Sequence, residues 1–304
     1  MTRPGRQLGA LILTVGLLLS GCSIKTLSAD EVIQRFTQAS SDLQSFHYDA
    51  TLNLTGNLPS ALGGRITSAQ LHLTGDVINE DPATPQFSLQ ADVQATSDQG
   101  NIKLTGQLIG LSDYTYFKLT DLDLPTLLPI SLGADSRWYR IKQPSLDSDG
   151  NKLGTLPTSG GLTSEQSLMI HDVIADSTLL EATQTFPDET AFGQRSYHYQ
   201  GKLQGDNLRS LLTRISQITG SPVPTGLDSL TTYTADVWIN KRTFQLARIK
   251  VTDIYLIEGV PISFMLDFGL TSQNERIKVN PPSVAEELDR QNLLDKLAHW
   301  QPTM

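Results

Sequence analysis

The sequence predicts an α+β protein built on one large antiparallel β-sheet of about eleven or twelve strands, with three or four helices. Apolar and polar residues alternate along most of the chain, as in strands with one wet face. Charged residues are only 18% of the 304 residues, which favours polar-faced strands over long charged helices. Helical segments interrupt the strands in the order helix, meander, helix, hairpin, helix, meander. A sheet this wide tends to curl, and helices are needed to cover its apolar face.

The first helix and the first six strands follow from a change of period. Ser28 and Glu31 have the spacing of a capping box, and the apolar residues that follow at helical intervals predict a helix over about 30–43. From Phe46 onward the period is two, which indicates strands. Four long strands and two short ones are predicted near 46–55, 69–77, 87–93, 102–108, 114–119 and 137–142.

The second half of the chain begins with a loop, because residues 143–163 are rich in Gly, Pro and Ser. Thr163 and Gln166 are spaced to cap a helix over 164–176, and Asp206 is placed to cap another helix that stops at Gly220. The remaining predicted elements are strands at 179–186, 195–203, 232–240, 245–257 and 261–271, a short run to Val279, and a last helix at 284–297.

The N-terminus predicts export and lipidation. Arg3 and Arg6 precede an uncharged apolar run from Leu8 to Leu19, which is shorter than the roughly 20 residues that cross a bilayer and is typical of a signal peptide. The run ends in Leu19-Ser20-Gly21-Cys22, which resembles the lipobox of bacterial lipoproteins. This resemblance implies cleavage between Gly21 and Cys22 and a lipid anchor on Cys22. The alternative is an ordinary secretory signal with a chance cysteine.

These features divide the chain into four parts. Residues 1–21 are the predicted lipoprotein signal peptide and 22–29 the lipidated tether. Residues 30–282 form one predicted domain, and 283–304 a C-terminal helical extension.

Three segments resemble the LppX/LprG group of bacterial lipoproteins, within the LolA/LppX superfamily. The first helix runs into a long strand through Leu43, Ser45, Phe46 and His47, similar to the Leu-x-Ser-hydrophobic-His segment of that group. Residues 235–251 (ADVWINKRT, then LARIKV) resemble a hairpin shared by LppX-like and LolA-like proteins, and 266–282 resemble the ending of the group. The chain departs from the group at Ala247, where proline is frequent, and in its extension beyond Pro282.

The resemblance implies a curved half-barrel with helices packed on its concave face, enclosing a cavity for acyl chains. It also implies a non-catalytic lipoprotein that binds acyl lipid and carries or presents it in the cell envelope. The expected location is extracytoplasmic, anchored to the bacterial cell membrane. The expected partners are this membrane through the acyl anchor, a hydrophobic lipid ligand and, as a further candidate, a lipid transporter. The protein is expected to be a monomer.

The candidate cavity residues share one property, which is that they lie on the apolar side of the alternating pattern. For any single one of them a filled core is the alternative, so the cavity hypothesis concerns the set. A second candidate feature is the leucine-rich segment 121–135, interpreted either as a lid or membrane contact at the cavity mouth or as a loop buried under the sheet edge. The cavity candidates are Leu52, Leu54, Leu71, Leu73, Leu89, Ile102, Leu104, Val237, Ile239, Ile249, Phe264, Leu266 and Phe268.

The residues show no catalytic, cofactor-binding or metal-binding pattern, so none of these is expected. No two histidines have i, i+4 spacing, and residues 147–151 lack the spacing of a calcium loop. The carboxylate pairs Asp121/Asp123, in a predicted loop, and Glu286/Glu287, at a predicted helix start, are interpreted as structural. A formal charge of −9 disfavours nucleic acid as a partner. The alternative function is an envelope sensor or scaffold that binds another protein through its sheet, and an enzyme ranks third.

Overall fold

The structure is a computed structural model that describes residues 27–59, 65–81, 84–123, 136–142, 163–177, 180–220, 223, 233–257 and 260–288. Three helices lie within these ranges: α1 (Ala29–Ser41), α2 (Ser164–Ala175) and α3 (Gly205–Thr219). The strands are β1 (Ser45–Pro59), β2 (Arg65–Ile78), β3 (Gln86–Ser97), β4 (Gly100–Gly110), β5 (Tyr114–Asp123), β6 (Tyr139–Lys142), β7 (Leu180–Ala191), β8 (Gln194–Leu203), β9 (Tyr233–Asn240), β10 (Leu246–Ile257), β11 (Val260–Thr271) and β12 (Glu286–Glu287).

All twelve strands belong to one sheet, in the order β12-β6-β5-β4-β3-β2-β1-β11-β10-β9-β8-β7. Every neighbouring pair is antiparallel except β12 with β6. Strand β1 lies near the middle and joins the N-terminal meander to the C-terminal one through β11. The sheet is open and curved, so the predicted α+β half-barrel is confirmed.

The two predicted capping boxes are confirmed. The Ser28 hydroxyl accepts a hydrogen bond from the Glu31 N–H at 3.2 Å, and the Glu31 carboxylate accepts one from the Ser28 N–H at 2.9 Å. Thr163 and Gln166 form the same reciprocal pair at the start of α2. Each box satisfies two backbone donors that the first helical turn leaves without a partner.

The start of α3 differs from the prediction. The helix begins at Gly205, with Gln204 at the N-cap and Asp206 inside the first turn. Asp206 therefore does not cap the helix, although its charge there still meets the helix dipole favourably. The helix ends at Gly220 as predicted, with a left-handed φ of 67°, a conformation that glycine adopts without steric cost.

The C-terminal prediction is also corrected. Residues 284–288 do not begin a helix, because Glu286 and Glu287 pair in parallel with β6. Arg137 donates to Glu286 at 3.3 Å and Arg140 donates to Glu287 at 2.8 Å, so each carboxylate forms an ion pair with an arginine. Residues 289–304, which the predicted extension includes, lie outside the described residues.

Two smaller predictions need correction as well. Strand β5 continues to Asp123, so Asp121 and Asp123 lie in a strand rather than in a loop, and Asp121 pairs with Lys103 at 2.6 Å. The run to Val279 has no strand structure. Most of the leucine-rich segment, 124–135, lies outside the described residues.

Helix α1 packs on one face of the sheet and forms the main core with it. Val32 is fully buried and belongs to one cluster with Tyr199, Ala235, Val237, Ile239 and other residues of β7 to β10. Helix α2 packs between α1 and α3. No helix among the described residues is long and apolar enough to cross a membrane.

Candidate ligand-binding site

The sheet register places all thirteen candidate cavity residues on the same face. Leu52 faces Leu71 on β2 and Leu266 on β11, and Leu266 in turn faces Val251 on β10. This row continues outward on both sides, so that one apolar line crosses from β5 to β9. Its members are Leu122, Leu104, Val93, Leu71, Leu52, Leu266, Val251 and Ala235. We call this side of the sheet the apolar face and the opposite side the outer face.

The apolar face has two parts that differ in burial. Val237 and Ile239 are 1% and 0% exposed and belong to the filled core under α1. Ile249, Phe264 and Leu266 are half-buried and pack against this core. The other eight candidates, on β1 to β4 and β11, are also half-buried.

A pocket of about 400 Å³ lies where these two parts meet. This volume is within the usual range of small-molecule sites. The pocket walls carry almost no polar surface, and Tyr233 is the one residue with a polar side chain among the described residues that line them. The lining residues are Leu54 and Leu58 of β1, Leu203 of β8, Tyr233 of β9, Val251 of β10, and Ile262, Phe264 and Leu266 of β11.

The pocket brings together three of the thirteen predicted residues, namely Leu54, Phe264 and Leu266. Seven others lie on the same face without lining it: Leu52, Leu71, Leu73, Leu89, Ile102, Leu104 and Phe268. Five other residues line the pocket and were not predicted: Leu58, Leu203, Tyr233, Val251 and Ile262. Val251 and Leu203 continue the alternating pattern of their strands, so that signal was present. Leu58 follows a β-bulge, which breaks the alternation after Thr55.

Burial raises the pKa of two tyrosines on the apolar face. Burial, with a smaller contribution from Asp76, raises the pKa of Tyr48 to about 12. Burial, followed by Tyr197 and Asp188, raises the pKa of Tyr199 to about 12. The Tyr48 hydroxyl donates to the Ser88 carbonyl oxygen at 3.2 Å, so its buried donor is satisfied. Neither phenol ionises near neutral pH, and the face stays uncharged at both positions.

The outer face has the opposite chemistry. His47 Nδ1 lies 2.9 Å from an Asp76 oxygen, and His72 Nε2 lies 3.2 Å from an Asp49 oxygen. The Ser88 hydroxyl donates to Asp76 at 3.0 Å. Among Ser88, Asp76 and His47 the Asp76 carboxylate is the central group. Activation of a serine nucleophile instead needs the histidine between the hydroxyl and the carboxylate. These groups therefore form a cross-strand hydrogen-bond network of the solvated face.

A stack of rings covers the outer face at the C-terminal meander. His198 lies between Phe186 and Trp238, with ring centroids 4.5 and 4.3 Å away, and the Arg248 guanidinium lies 4.8 Å from the Trp238 ring. Trp238 Nε1–H donates to Glu189 at 3.0 Å. The hydrogen bond from Trp238, followed by the charge of His198, lowers the pKa of Glu189. The stack gives β7 to β10 a second packed layer, on the side away from α1.

The remaining predicted positions fall outside this site. Gly21 and Cys22 lie outside the described residues. Within the described ranges, no three His, Cys, Asp or Glu side chains form a group able to hold a metal ion.

Comparison with known proteins finds similarity only among solved structures. No protein-family model and no curated protein matches the chain. The crystal structure of LprF from Mycobacterium bovis matches with a TM-score of 0.43 and 12% identity, covering 84% of this chain and 97% of LprF. The Mycobacterium tuberculosis lipoprotein LppX matches with a TM-score of 0.33 and 17% identity, covering 83% of this chain and 100% of LppX.

A LolA superfamily protein from Nitrosomonas europaea matches with a TM-score of 0.20 and 9% identity, covering 84% of this chain and 96% of that protein. LppX-like and LolA-like proteins, the two groups that the sequence resembles, are thus both among the matching structures. Because the identities and TM-scores are low, the function of this chain has to follow from its own residues.

Proposed function

We propose that this chain is a lipid-anchored, extracytoplasmic protein that binds an acyl lipid against the apolar face and carries or presents it in the cell envelope. The observation that supports this proposal is the pocket of about 400 Å³ lined by Leu54, Phe264, Leu266 and their neighbours. The described residues of its walls offer hydrocarbon contact and include no charged group, so an uncharged hydrocarbon chain fits them better than a polar metabolite.

The apolar face beyond the pocket gives such a ligand room to extend. From Leu54 the face continues over Leu52, Leu71 and Leu104, all of which are half-buried. Half-buried apolar side chains still lose water when a ligand covers them, and this adds to the binding energy. We propose that the thirteen predicted residues divide accordingly. Those on β1 to β4 and β11 contact ligand, and those under α1 hold the helix in place.

The expected binding strength follows from the area that a chain buries. Ten buried methylene groups contribute about 8 kcal/mol at about 0.8 kcal/mol each. Association costs at least about 4 kcal/mol, so at most about 4 kcal/mol remains, which corresponds to a dissociation constant of about 1 mM. A single short chain therefore binds weakly, and a lipid with longer or multiple chains binds more tightly. Binding of this strength is reversible, as a carrier requires.

A lipid on Cys22 would keep the start of α1 close to the membrane. Leu27 packs against the α1 core cluster, and five residue steps separate it from Cys22. Five extended residues reach at most about 18 Å. A lipid on Cys22 would therefore hold the start of α1 within about 18 Å of the bilayer surface. This short tether favours exchange of acyl chains with the same membrane.

The proposal is tested by narrowing the pocket. Residues 23–304 are prepared with Leu266→Trp, which fills the pocket, and with Met265→Trp, which adds the same ring to the outer face of the same strand. We expect uptake of a fluorescent fatty acid to weaken at least tenfold in the first variant and to stay unchanged in the second. Circular dichroism confirms that both variants are folded. Equal uptake by the two variants would contradict a ligand site at this pocket.

A further inference from the structure

A second groove crosses the outer face, behind the pocket. It has a volume of about 680 Å³ and runs across β1, β2, β3 and β4 toward β5. The sheet is one layer thick here, and Leu54 contributes to both the pocket and this groove. We call it the polar trough.

The walls of the trough are two parallel rows of side chains that the strand register aligns. In one row Asn53 faces Gln70, Gln70 faces Gln94, and the row ends in Lys103 and Asp123. The other row is displaced from the first by two residues on each strand. It consists of Thr55 on β1, Ser68 on β2, Thr96 on β3 and Asn101 on β4.

The floor between the rows consists of residues whose side chains belong to the apolar face. Ala69 and Ala95 face each other at its centre, with Leu54 and Ile102 on either side. Only the backbone side of these residues reaches the trough, so the floor has no pocket for a large side chain. Neighbouring strands are about 4.8 Å apart, so the row from β1 to β5 is about 19 Å long. A long, narrow, flat-floored trough fits an extended chain with a regular repeat.

The hydrogen-bonding groups of the trough are mostly uncharged, and each of those groups can both donate and accept. Amide side chains carry an NH₂ donor and a carbonyl acceptor, and hydroxyl groups do both with a single atom. Gln70 Nε2 donates to Asn53 Oδ1 at 3.1 Å, which orients the two amides and leaves the Gln70 oxygen and the Asn53 nitrogen for a ligand. The charged lining residues, Lys103 and Asp123, lie at the β4–β5 end of the trough, where Lys103 pairs with Asp121 at 2.6 Å. The lining side chains on β1 to β3 carry no charge.

The histidine–aspartate pairs of β1 and β2 lie in other rows of the outer face. The pairs His47–Asp76 and His72–Asp49 lie closer to the start of β1, and they hydrogen-bond within the protein. Most polar side chains lining the trough are exposed, including Gln70, Gln94 and Thr96. A ligand rich in hydroxyl groups needs donors and acceptors in equal supply, and a surface of this kind provides both.

From this arrangement we propose that the polar trough binds an uncharged glycan chain, which lies across β1 to β4 with its hydroxyl groups on the amide and hydroxyl rows. This site is separate from the acyl site, since the two occupy opposite faces of the same strands. An extended peptide is disfavoured, because the floor has no cavities for side chains and the trough contains no free sheet edge for backbone pairing.

The test uses the full chain in phosphatidylcholine nanodiscs, with empty nanodiscs as the background. Three linear uncharged probes, maltohexaose, cellohexaose and hexa-N-acetylchitohexaose, are each offered at about 10 mM, which is above a dissociation constant of about 1 mM. Saturation-transfer NMR then detects weak contact from the ligand's own proton signals. We expect at least one of the three saccharides to receive saturation from the protein.

Two double variants locate the contact. Gln70→Ala with Gln94→Ala removes amides from the trough, whereas Gln90→Ala with Gln107→Ala removes two amides that face each other on the same side of β3 and β4, outside it. We expect the first pair to weaken saccharide binding at least tenfold and the second to leave it unchanged. Fatty-acid uptake should be unchanged in both, which separates failure of this site from failure of the acyl site.

Two results would overturn the proposal. One is that none of the saccharides receives saturation; if a glycine–serine peptide then does, the trough belongs to a polypeptide. The other is that the two double variants bind the saccharides equally well.

Discussion

The core under α1 makes a quantitative prediction for Ile239→Ala. Ile239 is 0% exposed and belongs to the cluster that Val32 of α1 completes. The substitution removes three carbon atoms, which is about 2.4 kcal/mol of transfer energy at about 0.8 kcal/mol each, and the cavity left behind adds to the loss. We therefore expect the free energy of unfolding to fall by about 3 kcal/mol.

The matched control is Ile254→Ala. Ile254 is the same residue type on a neighbouring strand and is 65% exposed. Its loss should change the free energy of unfolding by less than about 0.5 kcal/mol. Urea denaturation of residues 23–304 measures both. For a domain of about 250 residues the unfolding entropy is about 0.5 kcal/mol per kelvin, so Ile239→Ala should also lower the Tm by about 6 °C.

The control also defines the outcome that would contradict this account. If the two variants were destabilised equally, Ile239 would not lie in a filled core. The division of the apolar face into a packed part and a ligand-accessible part would then be wrong.

Three further predictions concern the anchor, one histidine and one glycine. Cys22→Ser should move the protein from the membrane fraction to the soluble fraction of the envelope and abolish labelling by a radioactive fatty acid. Hydrogen bonds to Asp172 and then to Asp42 raise the pKa of His171. The protonated His171 therefore stabilises the fold fully below its ordinary pKa, and this stabilisation is lost as the pH rises through the raised pKa. The substitution His171→Gln should accordingly lower the free energy of unfolding more at about pH 5.5 than at about pH 8.5. Gly75→Ala should destabilise by about 2–3 kcal/mol in urea denaturation, because the new Cβ would overlap a backbone carbonyl of β3.

The strands were predictable because their signal is local. Along β1 the residues Phe46 to Leu54 alternate strictly, and the structure pairs them with equally regular partners on β2 and β11. The capping boxes at Ser28 and Thr163 are also local, since each involves residues three apart. Both helices begin next to the predicted caps.

The features that could not be predicted from the sequence depend on contacts between residues far apart in the chain. Strand β12 is held by Arg137 and Arg140, about 150 residues away in the chain, so the segment around Glu286 gave no local strand signal. Alternation placed the thirteen apolar residues on one face but could not show which of them α1 covers. That depends on where Val32 packs, and Val32 lies in a different element. The pocket residue Leu58 was missed for a different reason, because the β-bulge after Thr55 interrupts the alternation.

The polar trough was not predictable for a related reason. Asn53, Gln70 and Gln94 each looked like an ordinary solvent-facing residue of a strand. Their alignment into one row appears only when the register of β1, β2 and β3 is known. A shift of one residue in either strand pair would have moved one of them to the apolar face.

The central claim is that the apolar face holds an acyl lipid, and lipid mass spectrometry tests it most directly. Residues 23–304 are purified from a lipid-producing host and extracted with organic solvent. We expect a co-purifying acyl lipid at close to one molecule per chain, in amounts that fall in the Leu266→Trp variant and not in Met265→Trp. An empty, stable monomer that also takes up no fluorescent acyl probe would contradict it, and would favour an envelope sensor or scaffold that binds another protein through its sheet.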